Sequence, residues 1–228
     1  MFQSLINGMT YLINLCYSFT VQIGLPSYGL AIIFLTILIK AVLYPLTLKQ
    51  MRSMAIMQQL APKVKEIQEK YREKDPQKMQ KKIMELYQEH NVNPLSGCLP
   101  LLIQLPILIA LYRALLFFQY PDPRHAGFFW IASLSNVGDP YYIFPVLAAV
   151  STYFQSRLTM TSNDPTQRVM LYTMPLFIGW ICTTVPAGLS LYWVVFNILG
   201  IIQQYFINKQ TMGLKEAAGE SGSGRKSR

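Results

Sequence analysis

Apolar residues dominate positions 1–23, but Gln3, Asn7, Thr10, Asn14, Ser18 and Gln22 interrupt them every three or four residues. That interval draws one polar stripe along a helix. With no Lys, Arg, Asp or Glu in 1–39, the stripe predicts an amphipathic helix over 1–23 lying in the outer membrane interface. Gly24, Pro26, Ser27 and Gly29 break it. The next stretch, GLAIIFLTILIKAVLYPLTL at 29–48, is apolar except for Lys40. It is long enough to cross a hydrocarbon core of roughly 30 Å as a helix. Four more such runs lie at 99–118 (broken by Arg113), 141–157, 169–186 and 189–208. The expected fold is therefore an all-α polytopic membrane protein with five transmembrane helices.

Residues 49–93 differ in kind. Met54, Met57, Leu60, Val64, Ile67 and Tyr71 recur at helical spacing among charged positions, Asp75-Pro76 makes a break, and Met79, Ile83, Leu86 and Tyr87 form a second stripe. This predicts a helical hairpin outside the membrane. Two readings of its methionine-rich start stay open. The stripes pack on each other, or Met51, Met54 and Met57 form an adaptable apolar surface for varied partner segments.

Charge sets the orientation. The segment 48–96 holds ten Lys or Arg, the loop at 158–168 with its flanking Arg157 two, and the tail at 209–228 five. The opposite side holds Arg124 in the loop 119–140, which also carries the interfacial aromatics Trp130, Tyr141 and Tyr142. The positive-inside rule places the hairpin and a flexible basic C-terminus in the cytoplasm and the N-terminus outside. The basic side also suits anionic lipid or ribosomal RNA. A cleaved signal peptide is not expected, since no basic n-region precedes the first apolar stretch.

The chemistry of enzymes is missing from this pattern. Cys16, Cys98 and Cys182 lack metal spacing, and the histidines are only His90 and His125, so no metal or other cofactor is expected. Ser190 sits in a Gly-x-Ser context with no histidine in a span. Phosphate-cradling loops are absent, and Leu95-Ser96-Gly97-Cys98, which spells a lipoprotein box, stands on the wrong side of the membrane. All 11 acidic residues lie outside the expected spans. Lys40 thus has no resident counter-ion, although a charge at that depth costs about 2.5–3.5 kcal/mol or more. Thr36 and Tyr44 share its helix face. Gln104, Gln155 and Trp193, with Tyr192 beside it, offer polar surface on three other spans. Converging, they would form a hydrophilic groove that admits an acidic peptide segment. Snorkelling of Lys40 to the inner headgroups, about 12 Å away, and a deprotonated lysine are the plainer alternatives. A solute transporter would be expected to show two related halves, which an odd span count does not offer.

Four stretches, YPLTLKQMRSMAIMQQLAPKVKEIQEKY, NVNPLSGCLPLLIQLPILIALY, DPYYIFPVL and VPAGLSLYWVVFNILGIIQQ, resemble the YidC family of membrane protein insertases, which has mitochondrial and chloroplast relatives. Their order and spacing match over roughly 25–210. The resemblance implies a five-helix core around a groove closed on the outside, and a cytoplasmic hairpin. It also implies insertion of nascent membrane proteins into the bacterial cell membrane, alone or with the Sec translocon, by a monomer that uses no nucleotide. Ribosome contact is implied only weakly, the tail being short. Lys40 falls where most bacterial members carry arginine. It keeps the charge and loses the planar fork. Thr36, Gln104, Gln155, Tyr192 and Trp193 complete the implied client-binding groove, with Met51, Met54 and Met57 as cytoplasmic contacts. The chain resembles the shorter, Gram-positive form, and Cys16 is a poor lipidation site. A structural assembly factor is the remaining competitor.

Overall fold

The computed structural model describes residues 2–71, 75–93, 99–160 and 165–223. Seven α-helices account for most of it: α1 Phe2–Gln22, α2 Tyr28–Tyr71, α3 Pro76–Glu89, α4 Leu99–Leu116, α5 Ile143–Thr159, α6 Pro165–Cys182 and α7 Ala187–Ser223. A short 3₁₀ turn, Pro123–His125, sits in the long loop after α4. Among the described residues there are isolated β-bridges and no strand. Pro94, Gly97 and Cys98, read as the entry to the second span, lie outside the described residues, as do Asn163 and Asp164.

α1 buries Met9, Ile13, Cys16 and Thr20 against α2 and α4. Gln3, Asn7 and Ser18 turn away from this contact, and polar side chains bond along the helix, Gln3 to Asn7 and the hydroxyls of Thr10 and Ser18 to carbonyls one turn back. α7 packs on α2 and on α5, and α5 in turn packs on α6. The main core gathers Ile13, Ile32, Leu35, Leu111, Leu115, Leu134 and Tyr192 at the end away from the hairpin. A smaller cluster of Ala148, Ile178, Cys182 and Val194 joins α5, α6 and α7. The outward face is apolar as well: Val42, Phe117, Val146, Leu176 and Trp180 all stand exposed, as suits a lipid-facing surface. By length and hydropathy, two described helices are sufficient to cross a membrane, α2 and the Ala187–Ile207 part of α7, and Leu102–Leu116 is a shorter apolar helix.

The first apolar run and the first hairpin arm form one helix of 44 residues, with Pro45 and Pro62 inside it. Composition changes sharply near residue 49, yet Gln, Met, Ala, Leu, Lys and Glu beyond it are strong helix formers. The shift is one of solvent, and the backbone continues through it. α7 likewise runs to Ser223, where a flexible tail from 209 is expected. Lys, Gln, Met, Leu, Glu and Ala in 209–218 favour helix by propensity.

The hairpin closes on a cluster of Met57, Leu60 and Val92, with Met54, Leu86 and Tyr87 packed around it. Asp75 starts α3 by accepting a 2.9 Å hydrogen bond from the Lys78 amide, with Pro76 at the first helical position. The hairpin is tied to the end of α5 by Gln58 Nε2, which donates to the Met160 carbonyl at 2.8 Å.

At the other end the loop 117–142 folds over the bundle. Its backbone bonds to the α6–α7 turn through Gly138 N to Val185 O, Ala187 N to Asn136 O and Gly188 N to Leu134 O, at 2.8–2.9 Å. Tyr17 and Tyr28 stack with ring centroids 3.9 Å apart, and Phe118 and Tyr120 meet Tyr28 edge-on. Phe128 lies so close over Gly29 that a β-carbon there would sit 2.0 Å from its ring. Only glycine admits that approach.

Candidate functional site

α2, α5 and α7 meet around Lys40, which is buried at 6% exposure. Its ammonium stands 3.6 Å from the centre of the Phe196 ring, a cation–π contact worth about 2 kcal/mol in a desolvated setting. Among the described residues it has no hydrogen bond or ion pair. Gln155 of α5 approaches the same point. A β-carbon at Gly200 would lie 2.6 Å from Gln155 Nε2 and 3.3 Å from Lys40 Nζ. The lysine and the glutamine amide thus share the space that Gly200 leaves open.

A hydrogen-bonded chain runs on from Gln155. With the Asn197 amide turned so that both its ends are satisfied, its nitrogen donates to Gln155 Oε1. Its oxygen then accepts from Thr152 Oγ1 at 2.8 Å and from Trp193 Nε1 at 3.3 Å. Trp193 Nε1 also lies 3.2 Å from Thr152 Oγ1. The Gln155 oxygen is engaged by Asn197, which leaves its amide nitrogen toward the space at Gly200 that Lys40 also enters. An ammonium has three donors and no acceptor. Among the described residues its three donors therefore find an aromatic face and no hydrogen-bond acceptor.

The other expected groove residues fall into place unevenly. Gln104 Nε2 donates to the hydroxyl of Tyr192, and the Tyr192 ring lies 5.7 Å from Phe196, so this pair joins the Lys40 set through rings. Thr36 is fully buried and donates to the Ile32 carbonyl at 2.6 Å, its hydrogen spent within α2. Trp193 has two faces. Its indole N–H enters the polar chain, while its ring lines an apolar cavity of about 210 Å³ between α4, α6 and α7, with Leu108, Tyr112, Ile181 and Leu189. The methionines stand apart in the hairpin. Met51 and Met57 are 7% and 8% exposed and Met54 is half-buried, so the two stripes pack on each other and turn these side chains inward. Exposed apolar surface on the hairpin comes instead from Ile56 and Met84.

Residues 19–215 match the family of the 60Kd inner membrane protein. The chain belongs to that family. Over 184 residues it is 45% identical to the membrane protein insertase YidC of Geobacter sulfurreducens, covering 80% of this chain and 34% of that one. Over 201 residues it is 46% identical to the YidC of Wolinella succinogenes, covering 87% and 37%. The chain thus spans about a third of the length of these curated relatives. Its fold is similar to a crystal structure of an active YidC insertase with the first transmembrane domain resolved. The TM-score is 0.71 and the identity 30%, over 90% of this chain and 47% of that one. Its place in the YidC family, first suggested by four short motifs, rests on both sequence and fold.

Thr152, Phe196 and Gly200 belong to the site and are not singled out by sequence reasoning, and Asn197, a polar position of the fifth span, is given no role by it. Their signal is present nonetheless. Trp193, Phe196, Asn197 and Gly200 are spaced three, one and three residues apart and share one face of α7, the face a helix shows to a single neighbour. In an apolar run an aromatic and a glycine at that spacing read as packing, which hides them.

Proposed function

We propose that the chain inserts newly made membrane proteins, using Lys40 as a transient counter-charge inside the bilayer. The observation that carries this is a buried ammonium held against an aromatic ring, with no carboxylate paired to it among the described residues. The YidC family membership supports it. In this reading five helices span the membrane with the N-terminus outside, and Lys40, Gln155, Gln104, Tyr192 and Trp193 line the path. A short acidic or polar flank of the client pairs with Lys40 while its apolar segment moves into lipid along the α4–α6 side. Apolar burial, roughly 25 cal/mol per Å², drives the transfer. The membrane potential adds about 2.3 kcal/mol per charge per 100 mV. The chain acts as a monomer, alone or beside the Sec translocon, with ribosome contact through its basic cytoplasmic side. Neither covalent catalysis nor nucleotide hydrolysis enters.

The test is reconstitution in liposomes with a single-span client bearing an acidic flank. Lys40→Glu should lower insertion by roughly tenfold, the loss of one charge pair at reduced dielectric, and Lys40→Arg should preserve it. Normal insertion of every client by Lys40→Ala would remove the charge-capture step. Solute flux without insertion would mark a transporter, and refolding of clients without insertion an assembly factor.

A further inference from the structure

Resting on the charge-capture reading above, we infer that Phe196 and Gly200 are positioning residues for Lys40: the ring holds the ammonium over its face, and the missing side chain gives room for the Lys40 head and the Gln155 amide beside it. Phe196 and Gly200 lie one helical turn apart on α7 and face α2 and α5. The 3.6 Å separation between Nζ and the Phe196 ring centre is well inside the distance at which a ring quadrupole attracts a cation. A ring stabilises the charge without neutralising it, so the ammonium stays able to bind an incoming carboxylate. A resident Asp or Glu would compete for that role.

Gly200 acts by space. Glycine in a helix interior is disfavoured relative to alanine, and α7 has no turn here that demands it. A methyl group at this position would meet the amide of Gln155 at 2.6 Å and the head of Lys40 at 3.3 Å. Both are ends of flexible side chains, so alanine would displace them and leave the helix standing. Asn197, one residue after Phe196, fixes the other end of the Gln155 amide. The pair therefore sets where the charge sits.

The experiment uses the full chain in phosphatidylethanolamine–phosphatidylglycerol vesicles with two single-span clients, one flanked by two Asp and one by two Asn. The readout is the ratio of inserted acidic client to inserted amide client. Phe196→Leu should lower that ratio by about fivefold, within the range of a desolvated cation–π contact, and Phe196→Tyr should restore it. Gly200→Ala should lower it too. Lys40→Gln should lower it at least as far, and adding Phe196→Leu to Lys40→Gln should bring no further drop. A wild-type ratio in Phe196→Leu, with a lowered ratio in Lys40→Gln, overturns the positioning role and leaves charge capture standing. A further drop in the double variant also overturns it, since the ring would then act by packing alone. An intact ratio in Lys40→Gln overturns charge capture, and this inference with it. Should Phe196→Leu fail to accumulate, a wild-type ratio in Gly200→Ala overturns the proposal by itself.

Discussion

Asp139 is a buried carboxylate with a full set of partners, the opposite case to Lys40. It accepts from the indole N–H of Trp130 at 2.9 Å, from the amide of Tyr141 at 3.0 Å and from the amide of Phe144 at 2.7 Å, so it ties the outer loop to the start of α5. Asp139→Ala should cost about 3 kcal/mol by stranding those donors, and Asp139→Asn less. Chemical denaturation in detergent, followed by Trp130 fluorescence, checks the order. Asp122 is half-buried and is held by a cation as well. Hydrogen bonds from the Arg124 side chain and backbone hold its carboxyl down at about 2. A depressed carboxyl stabilises the folded turn above its ordinary range near 4 and loses that effect as pH falls through about 2. The protection of the Arg124 amide, its exchange rate relative to that of an unfolded amide at the same pH, should hold above about pH 4 and fall as pH drops toward about 2, and Asp122→Asn should flatten this dependence. At this scale much was legible from sequence. A lone cation in an apolar run and Gln155 announce themselves, whereas Phe196 and Gly200 are indistinguishable from packing residues until α2 and α7 are seen together.

Helix boundaries follow solvent less closely than composition suggests. The hydropathy pattern locates each apolar run, but α2 crosses the change at residue 49 unbroken because nothing in its backbone chemistry stops it there. The break at Asp75-Pro76 was readable because it has a mechanism, a carboxylate capping Lys78 N and a proline that fits the first turn. Asp75→Ala should destabilise α3 by about 1 kcal/mol. The check is faster amide exchange at 77–79 with no change around Leu134. The methionines show the limit of reading one stripe alone. Whether Met57 faces a partner or its own hairpin depends on Val92 and Leu86, which only the folded turn brings beside it.

Across the whole molecule the two ends are built unequally. The end that carries the loop 117–142 is locked by backbone bonds to the α6–α7 turn and by the Tyr17–Tyr28–Phe118 aromatics, while the hairpin end is held to α5 by Gln58. In a chain whose cysteines are replaced, Lys40→Cys in sealed vesicles should react with a membrane-impermeant thiol reagent from the hairpin side alone. Reaction from the outer side would contradict the closure.

The length of α2 gives this inequality a mechanical side. Lys40 and Met57 ride one rod, about 25 Å apart at 1.5 Å per residue. Between them Pro45 deletes the backbone bond to the Ala41 carbonyl, making a pivot about 7.5 Å from Lys40. Leverage about that pivot moves the ammonium by roughly 1 Å for about every 8° of tilt, given that rise per residue. A tilt of α2 about Pro45 would therefore shift the Lys40 ammonium from its place 3.6 Å over the Phe196 ring.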